Sequence, residues 1–286
     1  MQEVTFHILP LQDPEANEQS LTNFAELKSI IQQNGDQLVL SYAFYECKAY
    51  ENAIQNNNST TKLFFELFLK LRADQTACSA ELMQTDFHHR QICVDSTLPD
   101  SLSNTAPYTI RNKCELIENY QKSAVYLEDF GELFDWTHKC FPILLFTSDS
   151  FGSNQKPFGR DSGNSELIQQ TIHCLSILNN HYNELQKNSE SERIAYLGPL
   201  LSPGITCSGK GNNESIKCNK EIRYHDEIFT VSCSPHFKLI RRDSNYRIYF
   251  SWGTPKIKDH EFIVVKIGGH WQDNTDSMLS AIKTNS

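Results

Sequence analysis

The chain has 286 residues, 39% of them hydrophobic and 21% charged, with a net charge of −9. That composition is ordinary for a globular protein, one large domain or two small ones, and an acidic chain is not built to coat nucleic acid along its whole surface. No run approaches 18 consecutive apolar residues, so neither a transmembrane helix nor a membrane partner is expected. MQEVTFHILPLQDPEANEQ lacks a basic stretch followed by an apolar one and predicts no secretory signal. The nine cysteines are odd in number and widely spaced, which reads as reduced thiols in a cytoplasmic protein.

Val4 to Leu11 predicts a first strand. Ser20 then caps a helix whose Leu21, Phe24, Leu27, Ile30 and Ile31 recur at helical spacing until Asn34-Gly35 stops it. Leu38 to Tyr45 reads as a buried strand. Thr60 or Thr61 opens a helix with Leu63, Phe64, Leu67, Phe68 and Leu71 on one stripe, a core-packing pattern. His88 and His89 are adjacent, and neighbours in a strand point to opposite faces, so they make a poor metal pair. Asp95 to Pro107 is rich in Ser, Pro, Asp and Asn and predicts a loop.

Lys113 to Tyr126 is helical in pattern. The acidic group Glu128, Asp129, Glu132 and Asp135 follows and reads as a solvated helix face. Phe141 to Phe146 is a short buried strand, and Thr147 to Asn164 a long loop without phosphate-loop spacing. Glu166 to Gln186 carries the clearest helical periodicity, and Ser189 to Glu192 reads as a turn. Leu197 to Gly204 is a loop and the expected join between two parts of the chain. Cys207, Cys218, Cys233 and His236 could supply a Cys3His zinc set, but no CxxC knuckle is present and separate structural roles are the better reading.

Four strand candidates follow within about 45 residues: Glu227 to Cys233, Phe237 to Arg242, Tyr246 to Trp252 and Glu261 to Ile267. Together they suggest an antiparallel meander. In the third, Tyr246, Ile248, Phe250 and Trp252 share one face and Arg247, Tyr249 and Ser251 the other. In the fourth, Ile263, Val265 and Ile267 share one face and Phe262, Val264 and Lys266 the other. Gly209 to His270 holds eleven Lys/Arg against seven Asp/Glu, a net of +4, which leaves about −13 for the rest. A basic sheet on an acidic chain is a candidate polyanion surface. Beyond Trp271 the tail is polar, with Met278, Leu279 and Ile282 read as a short helical turn.

The succession of a basic-apolar strand, YRIYF, a loop and an apolar strand running on to a histidine resembles the RelE/ParE toxin fold. The resemblance covers Arg223 to Trp271, about a sixth of the chain. It implies a helical hairpin ahead of an antiparallel sheet, and in ribonuclease members a sheet surface that binds RNA. Arg247 matches that family's central-strand arginine and His270 its end-of-strand position; Lys238, Arg241 and Arg242 resemble the preceding basic strand loosely. The chain departs from the family in its length, its acidic balance and its longer hairpin loop.

The expected fold is α+β: a mixed helical region over residues 1–201 and a basic antiparallel-sheet module over 202–286. The expected function is that of a cytoplasmic nucleic-acid-acting protein of bacterial conflict or phage defence, acting on RNA as a metal-independent ribonuclease. Arg247, His270 and His236 are the candidate catalytic residues, and Lys238, Arg241, Arg242 and Lys266 the candidate nucleic-acid contacts. The alternative is a non-catalytic binding subunit whose acidic body meets a protein partner. No cofactor or metal is expected. No internal repeat, Walker, Rossmann, GxSxG or HExxH pattern is present.

Overall fold

The computed structural model describes residues 3–9, 18–41, 55, 70–74, 80–86, 88–93, 109–209, 218–240, 245–257, 259 and 261–283. The helix expected after Thr60, the loop from Asp95 to Pro107, and Arg241 and Arg242 lie outside them, apart from Leu71. The chain divides into two compact units, Met1–Ser123 and Ala124–Ser286.

The first unit is built on a sheet. Strands β1 (Thr5–Ile8), β2 (Gln37–Ser41), β3 (Arg72–Asp74), β4 (His89–Ile92) and β5 (Thr109–Ile110) lie in the order β3-β2-β1-β4-β5, and every pairing is parallel. Helix α1 (Glu18–Gln33) makes the crossover from β1 to β2 and buries Phe24, Leu27 and Ile31. It ends where the sequence predicts. Gly35, at φ +70°, follows Asn34, and the amides of Gly35 and Asp36 return to the carbonyls of Gln32 and Ile31, closing the last turn. The buried Asp36 carboxylate then accepts from the Val4 amide at 3.0 Å and the Tyr120 hydroxyl at 2.5 Å. Short helix α2 (Ala80–Thr85) precedes β4, and α3 (Lys113–Ala124) follows β5. A mixed helical N-terminal region is therefore corrected to a parallel sheet with crossover helices. This strand order, with its reversal between β1 and β4, is that of doubly wound α/β sheets. The segments leaving β1 and β4 at that point fall outside the described residues.

In the second unit, α4 (Phe130–Cys140) starts at Asp129, whose carboxylate accepts from the amides of Gly131 and Glu132. Glu132 in turn accepts from the Glu128 amide at 2.7 Å. Much of the acidic group is thus a helix start. Strand β6 (Leu144–Phe146) follows. The long periodic stretch breaks at His181 into α5 (Ser165–Asn180) and α6 (Tyr182–Gln186). The predicted turn at Ser189 is instead a capping box with Glu192, and it opens α7 (Glu190–Leu197).

Among the described residues there follow β7 (Thr206–Ser208), β8 (Asn219–Tyr224), β9 (Glu227–Ser232), β10 (His236–Lys238), β11 (Arg247–Ser251), β12 (Phe262–Gly268), α8 (Asp273–Asp276) and β13 (Ser280–Ala281). With β6, these strands form two sheets. One has the order β6-β12-β11-β10-β7, the other β13-β8-β9. The expected four-strand meander is thus divided: β9 pairs with β8 in the small sheet, and only β10, β11 and β12 run consecutively. The larger sheet is mixed, because β6 joins β12 in parallel while its other pairs are antiparallel. That pairing takes the sheet back to residue 144, so the loop around Leu201 runs inside this unit. In the tail, Met278 and Leu279 are exposed beside β13 rather than forming a helical turn.

Candidate nucleic-acid interface

The register of β10, β11 and β12 decides which side chains share a face. His236 lies opposite Tyr249, Lys238 opposite Arg247, Tyr249 opposite Lys266 and Arg247 opposite Gly268. Directly opposed residues point the same way, so His236, Lys238, Arg247, Tyr249 and Lys266 share one face. Phe237, Ile248 and Phe250 share the other; Phe237 and Phe250 stack at 5.2 Å, and Phe250 meets Trp252 edge-on at 4.8 Å.

A bulge alters the pattern in β12. Phe250 pairs with Val264, although Tyr249 pairs with Lys266, so one strand advances by two residues where the other advances by one. Ile263, Val265 and Lys266 then lie on the face of Tyr249, while Phe262, Val264 and Ile267 lie with Phe250. The expected strict alternation in this strand is therefore wrong at Ile267 and Lys266. The packing agrees: Ile263, Val265 and Tyr249 form one cluster with Ile222, Val231, Cys233, Ile257 and Trp271. The small sheet thus covers the apolar half of this face. Lys220, on β8 and only 2% exposed, ties that sheet down through Asp149 Oδ2 at 2.8 Å and the Asp276 carbonyl at 3.1 Å.

The basic half carries His236, Lys238 and Arg247, all half-buried, and His270 follows β12 with its side chain exposed. Burial is the main reason that the His236 imidazole titrates below its usual range. The charges of Lys238, Arg247 and His270 push the same way, against a hydrogen bond to Ser234 that favours the protonated ring. That bond, Nδ1 to the Ser234 carbonyl at 2.9 Å, requires the proton on Nδ1 and leaves Nε2 with its lone pair. Arg247 donates from Nη1 to the Tyr246 carbonyl at 2.9 Å. The structure therefore groups three of the candidate residues, with His270 acting electrostatically on His236.

Lys266 is different. Its ammonium binds Asp276 Oδ2 at 2.5 Å and the His270 carbonyl at 2.9 Å, and both partners of the ion pair are less than a fifth exposed. It is a brace within the fold rather than an open phosphate contact. Asp276 and Tyr249 are the residues of this site that sequence reasoning missed. The sole signal for Tyr249 was its strand parity with Arg247; none marked Asp276. Near the end of β12, Gly268 has φ +153°, and a Cβ there would stand 2.8 Å from the Pro157 carbonyl, so the loop before α5 needs a glycine at that point.

Among the described residues no group of three or more His, Cys, Asp or Glu is placed to hold a metal ion, the Cys207, Cys218, Cys233 and His236 set included. Cys207 and Cys233 are free thiols; burial pushes the Cys207 thiol up to about 12 and the Cys233 thiol higher. His88 and His89 are also separated in role. His88 Nδ1 bonds the Glu3 carbonyl at 3.2 Å, while His89 Nδ1 lies 3.0 Å from the His7 Nε2 and its Nε2 3.8 Å from Asp86. Among the described residues, no helix is long and apolar enough to cross a membrane. No family model, curated protein or solved structure matches the chain.

Proposed function

We propose that the basic half of this face binds RNA and cleaves it by general acid–base chemistry, in the manner of a RelE/ParE-like toxin module of bacterial conflict or phage defence. The observation that carries the reading is the grouping of a base-competent His236 with Lys238 and Arg247 on adjacent strands and with the exposed His270 beyond β12. Helices ahead of the β10–β11–β12 meander and an arginine in its central strand also accord with the resemblance. His236 Nε2 takes the proton of a ribose 2′-hydroxyl, and the oxygen attacks the adjacent phosphorus. The bond to the 5′-oxygen breaks, and that oxygen takes a proton from His270. Lys238 and Arg247 offset the charge that gathers on the phosphorane oxygens. The products are a 2′,3′-cyclic phosphate and a 5′-hydroxyl. A cytoplasmic setting is part of this reading.

The test is incubation of the purified chain with labelled RNA and with the same sequence as DNA, at low salt, with Mg²⁺ or with EDTA. Cleavage of RNA alone, unaffected by EDTA and lost in His236→Ala and His270→Ala while both variants remain folded, is the expected result. Cleavage by both variants at the wild-type rate would refute the assignment. Salt-sensitive binding without turnover would support a non-catalytic binding subunit instead.

A further inference from the structure

We propose that Tyr249 is the positioning residue that makes His236 and His270 one site; this rests on the acid–base reading above. Tyr249 is 2% exposed and cannot itself contact a nucleic acid. Its ring lies 5.0 Å from the His236 ring on one side and 5.3 Å, edge-on, from Trp271 on the other. Its hydroxyl accepts the Trp271 amide at 3.0 Å in a buried hydrogen bond. The carbonyl of the same peptide unit belongs to His270, and it accepts from Lys266 Nζ at 2.9 Å. Both polar atoms of the 270–271 peptide are therefore held, one by each member of a directly opposed pair, Tyr249 and Lys266.

The β12 bulge makes this clamp possible, because it places Lys266 on the face of Tyr249. Asp276 completes it: the carboxylate oxygen that binds Lys266 also accepts the Gln272 amide at 2.6 Å. His270 thus carries an exposed ring on a backbone fixed at its following peptide. Such an arrangement holds an acid in reach of a scissile bond while leaving its ring open to substrate. Lys238 and Arg247 lie on the same face, paired with each other two residues along from His236 and Tyr249, so anchoring of phosphate and placement of His270 are separable.

Tyr249→Phe keeps the ring and its packing and removes only the acceptor for the Trp271 amide. The expected result is at least ~10-fold faster hydrogen exchange at that amide, and a ~10- to 100-fold fall in the cleavage rate constant with RNA binding unchanged. Lys266→Met loosens the same peptide from its other atom and should lower the rate constant in the same way, which keeps the test open should Tyr249→Phe fold poorly. In a Tyr249→Phe, His270→Ala double variant the two losses should not add. An unchanged rate constant, or binding and rate falling together, overturns the proposal. Imidazole resonances separate it from the functional reading: in Tyr249→Phe the His270 ring signal should shift and broaden whether or not the wild-type chain cleaves RNA. An unaltered His270 signal would sink the positioning role alone, and absence of cleavage with an altered signal would sink the ribonuclease reading alone.

Discussion

Replacing either partner of the Lys220–Asp149 pair should have unequal effects, and the inequality follows from their burial. Lys220 is 2% exposed and the Asp149 side chain 49%. At 2.8 Å, two unit charges attract by about 6 kcal/mol at an effective dielectric constant of 20, a figure that water around the open side of Asp149 lowers. Lys220→Met gives up that attraction but also removes the cost of keeping an ammonium out of water, and Asp149 is free to rehydrate. The net loss should be about 0–2 kcal/mol. Asp149→Ala leaves the ammonium buried with a single carbonyl for a partner, and the loss should be about 3–5 kcal/mol. Urea unfolding read by tryptophan fluorescence measures this unit alone, because Trp136, Trp252 and Trp271 are the chain's three tryptophans and all fall after residue 123. With a slope of about 2 kcal/mol per molar, the midpoint should move by less than about 1 M for Lys220→Met and by about 1.5–2.5 M for Asp149→Ala. Equal shifts would refute the reasoning. Burial alone would raise the Asp149 carboxyl, but the hydrogen bonds and charge from Lys220, with Ser280 and Thr147, outweigh it and hold it below the usual range. Its contribution to stability is therefore present above about pH 4 and lost as pH falls through the lower, folded-state value.

Substitutions at His236, Lys238 and Lys266 test the site. Because His236 titrates below the usual histidine range, the acidic limb of kcat/KM should lie below about pH 6.5; the unfolded chain takes up this proton first, so stability should fall as pH drops from about 6.5 towards the folded-state value, and His236→Gln should flatten that slope in acid titration. Lys238→Ala should reduce the salt dependence of RNA binding, lowering the slope of log K against log salt by about 0.7, whereas Lys266→Ala should leave that slope unchanged and cost about 1–3 kcal/mol of stability, because its charge is committed to Asp276.

Strands β9, β11 and β12 were legible because each is a run of aromatic and β-branched residues, and their observed limits fall within a residue of the predicted ones. What they pair with was not legible. β6 lies more than a hundred residues from β12, and no local pattern records a partner at that distance. The parallel sheet of the first unit was hidden for another reason. β3 reads Arg-Ala-Asp and β4 His-Arg-Gln-Ile, neither an apolar run. Arg90 is nonetheless buried within β4, because its guanidinium donates to the carbonyls of Met83, Asp86 and His89 and to the Ser123 hydroxyl. At the site, residue identity revealed His236, Arg247 and Lys238. The protonation state of His236 depends on burial, and the commitment of Lys266 on a carboxylate ten residues further on; both are set by the tertiary fold.

The last described residues stitch the second unit together. Ala281 accepts from the Ser148 amide, Ile282 bridges to Thr147, and the Lys283 amide returns to the Phe146 carbonyl, while β13 itself lies beside β8. Every strand of the first unit, by contrast, has been translated by residue 110. On the ribosome the two halves therefore mature on different schedules. The parallel sheet can close while synthesis continues. The edges of β6 and β8 find these partners only when the segment through Lys283 emerges, so a nascent chain stalled before that point presents both edges without them.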